Sequence, residues 1–373
     1  VSLLDSTAKQ GGSSLELRTW VEVDLGAISS NVSVLRKAVG PGPEFLAAVK
    51  ANAYGHGAAK VAKTIAPQVD YFGVACIDEA GEIAGLGAQI FLLSPCLPSE
   101  RKVAFGEGMI ATVSSAAETA SYATFGPGRV NFKIDTGMGR IGCWMDDAVS
   151  ELKELVRIPG ITVHSISTHL PSADEEPEFT KDQLTNFRRL QGELRKLAPD
   201  AKFHSLNSVG IFGFPEFAGD IVRGGLAIYG CVYSEEHQSR LRPSLAWKAR
   251  LLTIRDVGPG RSISYGRTFV TTSPMRIGSV SVGYADGFSR QISGNGASVL
   301  VSGRRCPVLG RVTMDQIVID LTNARNAHEG DEVVLLGKQG SEEISVRTLA
   351  EQAGTIAWDI FTGLGGRVLR IYF

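Results

Sequence analysis

Lys50 stands in Val49-Lys50-Ala51-Asn52-Ala53-Tyr54-Gly55-His56-Gly57, between an apolar run at 44–49 and a helical stretch at 58–66. The run is short and apolar enough for a buried strand, so the lysine falls where that strand ends. In parallel α/β folds that end carries the chemistry. An ammonium at an apolar strand mouth loses hydration, which lowers its pKa and makes the amine a nucleophile. The plainer alternative is a lysine that snorkels to the surface. In Lys133-Ile134-Asp135-Thr136-Gly137-Met138-Gly139-Arg140 the glycines allow a tight loop. Arg140 there can fork onto a carboxylate or a phenolate oxygen, or pair with a surface acid. His169 ends a strand-like stretch and suits a structural role as well as a functional one. Asn207-Ser208 ends another, and Ser208 fits either a helix cap or a phosphate contact. Tyr265, in Ser264-Tyr265-Gly266-Arg267, lies between two strand-like runs, where a packed aromatic is the plain alternative.

These residues need elements to position them. The segment 20–24 alternates like a strand and 25–39 reads as a helix. After the Lys50 strand come strands at 71–76, 88–94, 109–114, 129–135, 161–169, 202–207 and 220–227, with helical stretches such as 147–157 and 179–197 between them. About eight β-then-α repeats favour a closed (β/α)8 barrel of the TIM type. An open doubly wound sheet is the alternative, but no G-x-G-x-x-G opens a helix after the first strand. Near Arg242-Pro243-Ser244 the pattern changes. The runs 248–256, 275–283, 297–301, 307–312, 316–321 and 332–336 are short, rich in Val and Ile, and set apart by Gly, Pro, Asn and Ser. The expected division is a flexible leader at 1–17, a barrel at 18–245 and a mainly-β domain at 246–373, with one helix at 345–353 capped by Ser345.

Composition narrows the function. With 373 residues, 43% of them hydrophobic and 21% charged, the chain can bury two cores. A net charge of -1 argues against nucleic acid or an anionic membrane as partner. No apolar run is long enough to span a bilayer, and 1–17 lack the apolar core of a signal peptide. Five scattered cysteines without a C-x-x-C suit a reducing compartment, so a cytoplasmic protein without a metal site is expected.

The nine residues around Lys50 resemble the cofactor-lysine motif of the alanine racemase family, and further family strings follow in the family's order from about Trp20 onward. They include the loop 133–140, the Thr168-His169 pair, Asn207-Ser208 and Arg223-Gly224-Gly225-Leu226. Ser264-Tyr265-Gly266, Gly283-Tyr284-Ala285-Asp286-Gly287 and Gly310-Arg311-Val312-Thr313-Met314-Asp315-Gln316 complete the set. The resemblance implies that Lys50 carries pyridoxal 5'-phosphate and that Lys50 and Tyr265 are two catalytic bases on opposite faces of the substrate. It further implies that Tyr54, His169, Asn207, Ser208, Arg223, Gly225 and Leu226 line the cofactor, with Arg223 at its pyridine nitrogen. Arg140, Met314 and Asp315 would meet the substrate, and Lys133 occupies a position that is carbamylated in some relatives. Two departures stand out. Gly224 replaces a proline, which should loosen its loop, and Trp358 stands where a tyrosine contacts the cofactor phosphate.

The implied activity is the interconversion of L- and D-alanine, supplying D-alanine for peptidoglycan, by a homodimer in which Tyr265 reaches the partner's site. The alternatives are a racemase preferring another small amino acid such as serine, a decarboxylase of the same barrel class, or a pyridoxal-phosphate carrier without catalysis. The last lacks a β domain, and about a third of this chain follows the barrel.

Overall fold

The computed structural model describes residues 17–373; the expected leader, apart from Leu17, lies outside the described residues. The chain divides into two compact units. Strand β1 (Thr19–Val23) belongs with Leu245–Phe373, and Leu25–Ser244 forms the other unit.

The second of these units is the barrel. Its strands are β2 (Glu44–Ala48), β3 (Tyr71–Val74), β4 (Gln89–Leu92), β5 (Ile110–Val113), β6 (Gly128–Asp135), β8 (Ile161–Ser167), β9 (Lys202–His204) and β10 (Ile221–Gly224), with a short β7 (Cys143–Trp144) beside β6. Eight pair in parallel in the order β10-β2-β3-β4-β5-β6-β8-β9. The β9–β10 seam is bridged by Asp220 N–H to Phe203 C=O (2.8 Å) and Arg223 N–H to Leu206 C=O (3.0 Å). The pairing of β10 with β2 sets aside the open sheet. β3 and β5 are buried along their whole length, as parallel strands covered on both faces must be. The covering helices show the matching spacing: helix Leu25–Val39 buries Ala27, Ile28, Asn31, Val32 and Leu35 on one stripe.

The other unit holds β11 (Leu245–Val257), β12 (Ser262–Ile263), β13 (Phe269–Val270), β14 (Met275–Val280), β15 (Ser298–Val301), β16 (Arg304–Leu309), β17 (Ile317–Asp320), β18 (Glu332–Gln339), β19 (Glu342–Ile344) and β20 (Leu369–Tyr372). The ladder β11-β14-β17-β16-β15-β18 returns to β11, a closed antiparallel ring. On β11 the inward residues Leu245, Trp247, Ala249 and Leu251 alternate with less buried ones. Ser345 caps the helix Val346–Ala353 by accepting from Thr348 N–H.

The N-terminal boundary differs from the expected 18–245. β1 runs antiparallel to β11 and parallel to β20, not into the barrel. There its buried residues meet buried partners: Val21 pairs with Trp247 and Val23 with Leu245.

Candidate active site

Lys50 lies two residues past the end of β2. The four residues after it, Ala51, Asn52, Ala53 and Tyr54, all have φ between 50° and 53°, one turn of left-handed helix. L-residues pay about 1–2 kcal/mol each for that conformation. Hydrogen bonds offset it. Ala51 N–H donates to Glu79 Oε1 (2.7 Å) and Ala53 N–H to Val49 C=O (2.7 Å). Asn52 Oδ1 accepts from Ala58 N–H (2.7 Å). The second oxygen of Glu79 accepts from Ala75 N–H (2.7 Å), so this carboxylate ties the turn to the segment after β3. Burial lowers the pKa of Lys50, Arg140 lowers it further, and Glu79 opposes both without cancelling them.

Lys133 and Asp135 belong to β6, and the loop after it wraps around Asp135. Its carboxylate accepts from Gly137 N–H (2.8 Å), Met138 N–H (2.8 Å) and Arg140 N–H (3.1 Å). Burial pushes the Asp135 carboxyl up, but these N–H groups outweigh it and hold it below the ordinary value. Gly142 completes the loop with φ 122°; a Cβ there would lie 2.8 Å from Asp135 N and 3.1 Å from Lys133 Cγ. Lys133 is buried, and burial with Arg223 and Arg140 drives its amine well below the usual lysine range.

Arg223, on β10, makes four hydrogen bonds. It donates to Thr168 C=O (2.8 Å), Ser205 C=O (2.8 Å), His204 Nδ1 (2.7 Å) and His169 Nδ1 (3.3 Å). Burial lowers its pKa to about 10. His169 lies two residues past β8; burial, then Lys133, Arg223, Arg140 and Lys50, hold its ring neutral.

At the mouth of β9 and β10 the helix Ser208–Gly213 is capped by Asn207, whose Oδ1 accepts from Gly210 N–H (3.0 Å). The expected cap, Ser208, is instead the first helical residue. Its Oγ accepts from Gly225 N–H (2.8 Å) and Ala227 N–H (3.3 Å), which leaves its own proton to donate. The Tyr54 hydroxyl, pushed up to about 12 by burial, likewise has no acceptor among the described residues. Both face Gly225: a Cβ there would sit 3.2 Å from Tyr54 Oη and 3.7 Å from Ser208 Oγ. Leu226, buried, opens the short turn Leu226–Tyr229 beside them. A Cβ on Gly224 would lie 2.5 Å from Phe45 Cζ, so its bare Cα packs on that ring.

This end of the barrel therefore gathers Lys50, Lys133, Arg140 and Arg223, while Glu79 and Asp135 are occupied by backbone N–H groups. Two hydroxyl protons stand ready around a glycine. Excess positive charge, unsatisfied O–H donors and a lysine amine of lowered pKa fit an aldehyde that carries a phosphate and a ring oxygen. Pyridoxal 5'-phosphate is such a group. Sequence reading missed Glu79 and His204: His204 falls inside the expected strand 202–207 although β9 ends on it, and Glu79 was detectable only as an acid in the first turn of the helix Ile77–Ile83.

The remaining candidates lie on the β unit. Tyr265 is 69% exposed, between Ser264 (φ 61°) and Arg267 (φ 51°). Met314 is exposed in the loop between β16 and β17, and the Asp315 carboxylate accepts from Arg367 Nη2 (2.7 Å). Trp358 is half-buried in the helix Ala357–Thr362.

Known proteins share both units. Residues 23–232 match the family described as alanine racemase, N-terminal domain, and 244–372 its C-terminal domain. An alanine racemase of Halothermothrix orenii is 38% identical over 366 residues, covering 95% of this chain and 96% of that one. Among solved structures, alanine racemase of Clostridium difficile 630 superposes with a TM-score of 0.89 at 31% identity, covering 96% of each chain. The Bacillus anthracis enzyme with bound L-Ala-P gives 0.88 at 34% identity, covering 97% of this chain and 96% of that one. The chain belongs to the alanine racemase family, pyridoxal-phosphate-dependent isomerases that interconvert L- and D-alanine.

Proposed function

We propose that Lys50 and Tyr265 are the two bases of this racemase and that its working form is a cytoplasmic homodimer supplying D-alanine for peptidoglycan. The observation that carries the first half is the Lys50 amine, lowered in pKa, at the C-terminal mouth of β2 beside Arg140. Pyridoxal phosphate, when bound, supplies the electron sink that makes the substrate α-proton removable. The protein's part is to hold and move protons. Lys50 must be unprotonated to take one, which burial favours. Tyr54 and Ser208 have protons to donate to a phosphate, with Asn207 fixing the turn that presents Ser208 and with Gly225 and Leu226 shaping the floor. Arg223 cannot give up a proton, so it would leave a pyridine nitrogen unprotonated and keep the sink weak. His169, neutral and fixed by Arg223, is available to hydrogen-bond a tyrosine. Arg140 suits the substrate carboxylate. Burial and the nearby arginines lower the Lys133 pKa, which favours the unprotonated amine that carbamylation requires, and Arg140 and Arg223 favour the resulting anion.

Return of the proton from the opposite face needs a second base. Tyr265 and Met314 are both exposed on their own chain, which supports a role at a partner's site. Among the described residues no helix is long and apolar enough to cross a membrane, and all five cysteines are free, which supports a reducing compartment. Two experiments test the reading. Borohydride reduction and peptide mapping should place the pyridoxyl group on Lys50; a label on Lys60 or Lys133 overturns the assignment. Lys50→Ala and Tyr265→Ala proteins should each be nearly inactive and regain activity when their subunits exchange. Demonstrated exchange without activity removes the shared site.

A further inference from the structure

The loop carrying Met314 is clamped to the segment Gly283–Ala285 through backbone alone. Tyr284 N–H donates to Thr313 C=O (3.0 Å) and Ala285 N–H to Met314 C=O (3.1 Å). Gly283 permits the approach: a Cβ there would lie 2.3 Å from both the Thr313 and Met314 carbonyl oxygens. No cis bond occurs in the described chain, and in a trans peptide the N–H points opposite to the C=O. With Thr313 C=O turned toward Tyr284, the Met314 N–H must point the other way, and it has no acceptor among the described residues. An outward N–H suits a carboxylate. Yet the next side chain is Asp315, half-exposed, whose charge opposes any anion approaching that N–H.

Arg367 resolves the conflict. Its Nη2 donates to Asp315 Oδ1 (2.7 Å) and lies 3.5 Å from Met314 C=O. Its Nε and Nη2 donate to the two oxygens of the buried Asp286 (2.6 and 3.2 Å). Asp286 Oδ2 in turn accepts from Gly283 N–H (2.9 Å), so one planar guanidinium links both halves of the clamp. Building on the reading that Met314 meets the substrate carboxylate, we infer that Arg367 is a positioning residue for substrate binding: it neutralises Asp315 and fixes the Met314 peptide so that its N–H can receive that carboxylate. Asp315, expected to meet the substrate directly, then acts through Arg367. The step is binding only, and no proton or bond changes hands.

Such a contact serves substrate and transition state alike, so its loss appears in KM. In the holoenzyme, Arg367→Lys keeps a cation for Asp286 but cannot span both carboxylates. It should raise KM for both alanine enantiomers about tenfold, with kcat within about threefold. The inhibition constant of propionate, alanine without its amine, should rise by the same factor. Adding Asp315→Asn to Arg367→Lys should restore most of both losses, because the unpaired charge is gone. If Arg367→Lys is unstable, Arg367→Met with Asp286→Asn removes the buried charge pair and the same measurements apply. Unchanged KM and propionate inhibition, a loss confined to kcat, or no repair by Asp315→Asn overturns the inference. If propionate does not compete with alanine in the unaltered protein, the carboxylate-site reading itself fails.

Discussion

Arg223 donates to Nδ1 of His204 at 2.7 Å, and that bond decides which ring nitrogen carries the proton. Nδ1 must accept, so Nε2 carries hydrogen and faces Asn131 Oδ1 (3.2 Å) and Ser165 Oγ (3.3 Å). Asn131 Nδ2 donates to Thr112 Oγ1 (3.1 Å), which donates to Leu92 C=O (2.6 Å). A polar relay thus runs across the barrel interior from β10 to β4. His204→Leu would strand one N–H of Arg223, at about 1–3 kcal/mol when buried, and remove one of the two donors to Asn131 Oδ1, the other being Ser165 Oγ (3.0 Å). A stability loss of about 2–4 kcal/mol is expected from urea unfolding. His204→Gln, which keeps a donor and an acceptor, should lose less. Equal losses in both would mean that packing, not the relay, is what His204 provides.

Glu79 raises the Lys50 pKa while burial and Arg140 lower it. Glu79→Gln removes the charge that opposes burial and Arg140, and should lower that pKa further. Uptake of pyridoxal phosphate by the apo-protein needs the unprotonated amine, so the midpoint of its rate against pH should move down. Stopped-flow mixing across the pH range measures it, and an upward move contradicts the assigned charge balance.

His164, His169 and His204 all have folded pKa values below the unfolded value of about 6.5. Burial is the first cause in each, and for His164 it brings the value to about 4, helped by Lys202 and Arg129. Below pH ~6.5 the unfolded chain therefore binds protons that the folded chain does not, and stability falls as pH falls. For His164 that loss develops between about 6.5 and about 4. Urea midpoints of the apo-protein should drop across this window, and His164→Phe, which keeps the ring contacts with Tyr71 and Phe91, should flatten the slope.

At the position where the family resemblance implies a tyrosine, Trp358 offers a single N–H donor and no oxygen. A hydrogen bond to a charged group contributes about 1.5–3 kcal/mol, so Trp358→Tyr should tighten pyridoxal-phosphate binding about tenfold or more. Trp358→Ala should raise kcat/KM for serine relative to alanine by freeing side-chain space. If neither quantity moves and only Tm falls, Trp358 serves packing alone.

Much of this was legible in the sequence. The barrel strands announced themselves as apolar runs at regular spacing, and Lys50 fell at a strand end because its motif follows one such run. The left-handed turn did not announce itself: Ala51 and Ala53 favour right-handed helix, and hydrogen bonds such as those accepted by Glu79 and Asn52 hold them otherwise. Arg367 and His204 were silent for a similar reason. Their partners lie far off in the chain, Asp286 being 81 residues from Arg367, and local patterns carry no such information. The assignment of β1 failed because its alternation names a kind of sheet, not which sheet.

The strand order also sets a timetable for synthesis. Thr19 hydrogen-bonds Lys248 across 229 residues, and Trp20 pairs with Leu369 almost at the C-terminus. On a ribosome adding about 5–20 residues per second, β1 emerges ahead of its sheet neighbours and waits about ten seconds to a minute for them. The whole barrel is made in the interval, as an insertion between two pieces of one sheet. Throughout that wait Trp20, Val21 and Val23, all buried in the finished protein, have no native cover. A chain halted after β10 and before β11 therefore has every barrel strand but leaves β1 a naked apolar strand, a target for holding chaperones and a point from which nascent chains can pair with each other.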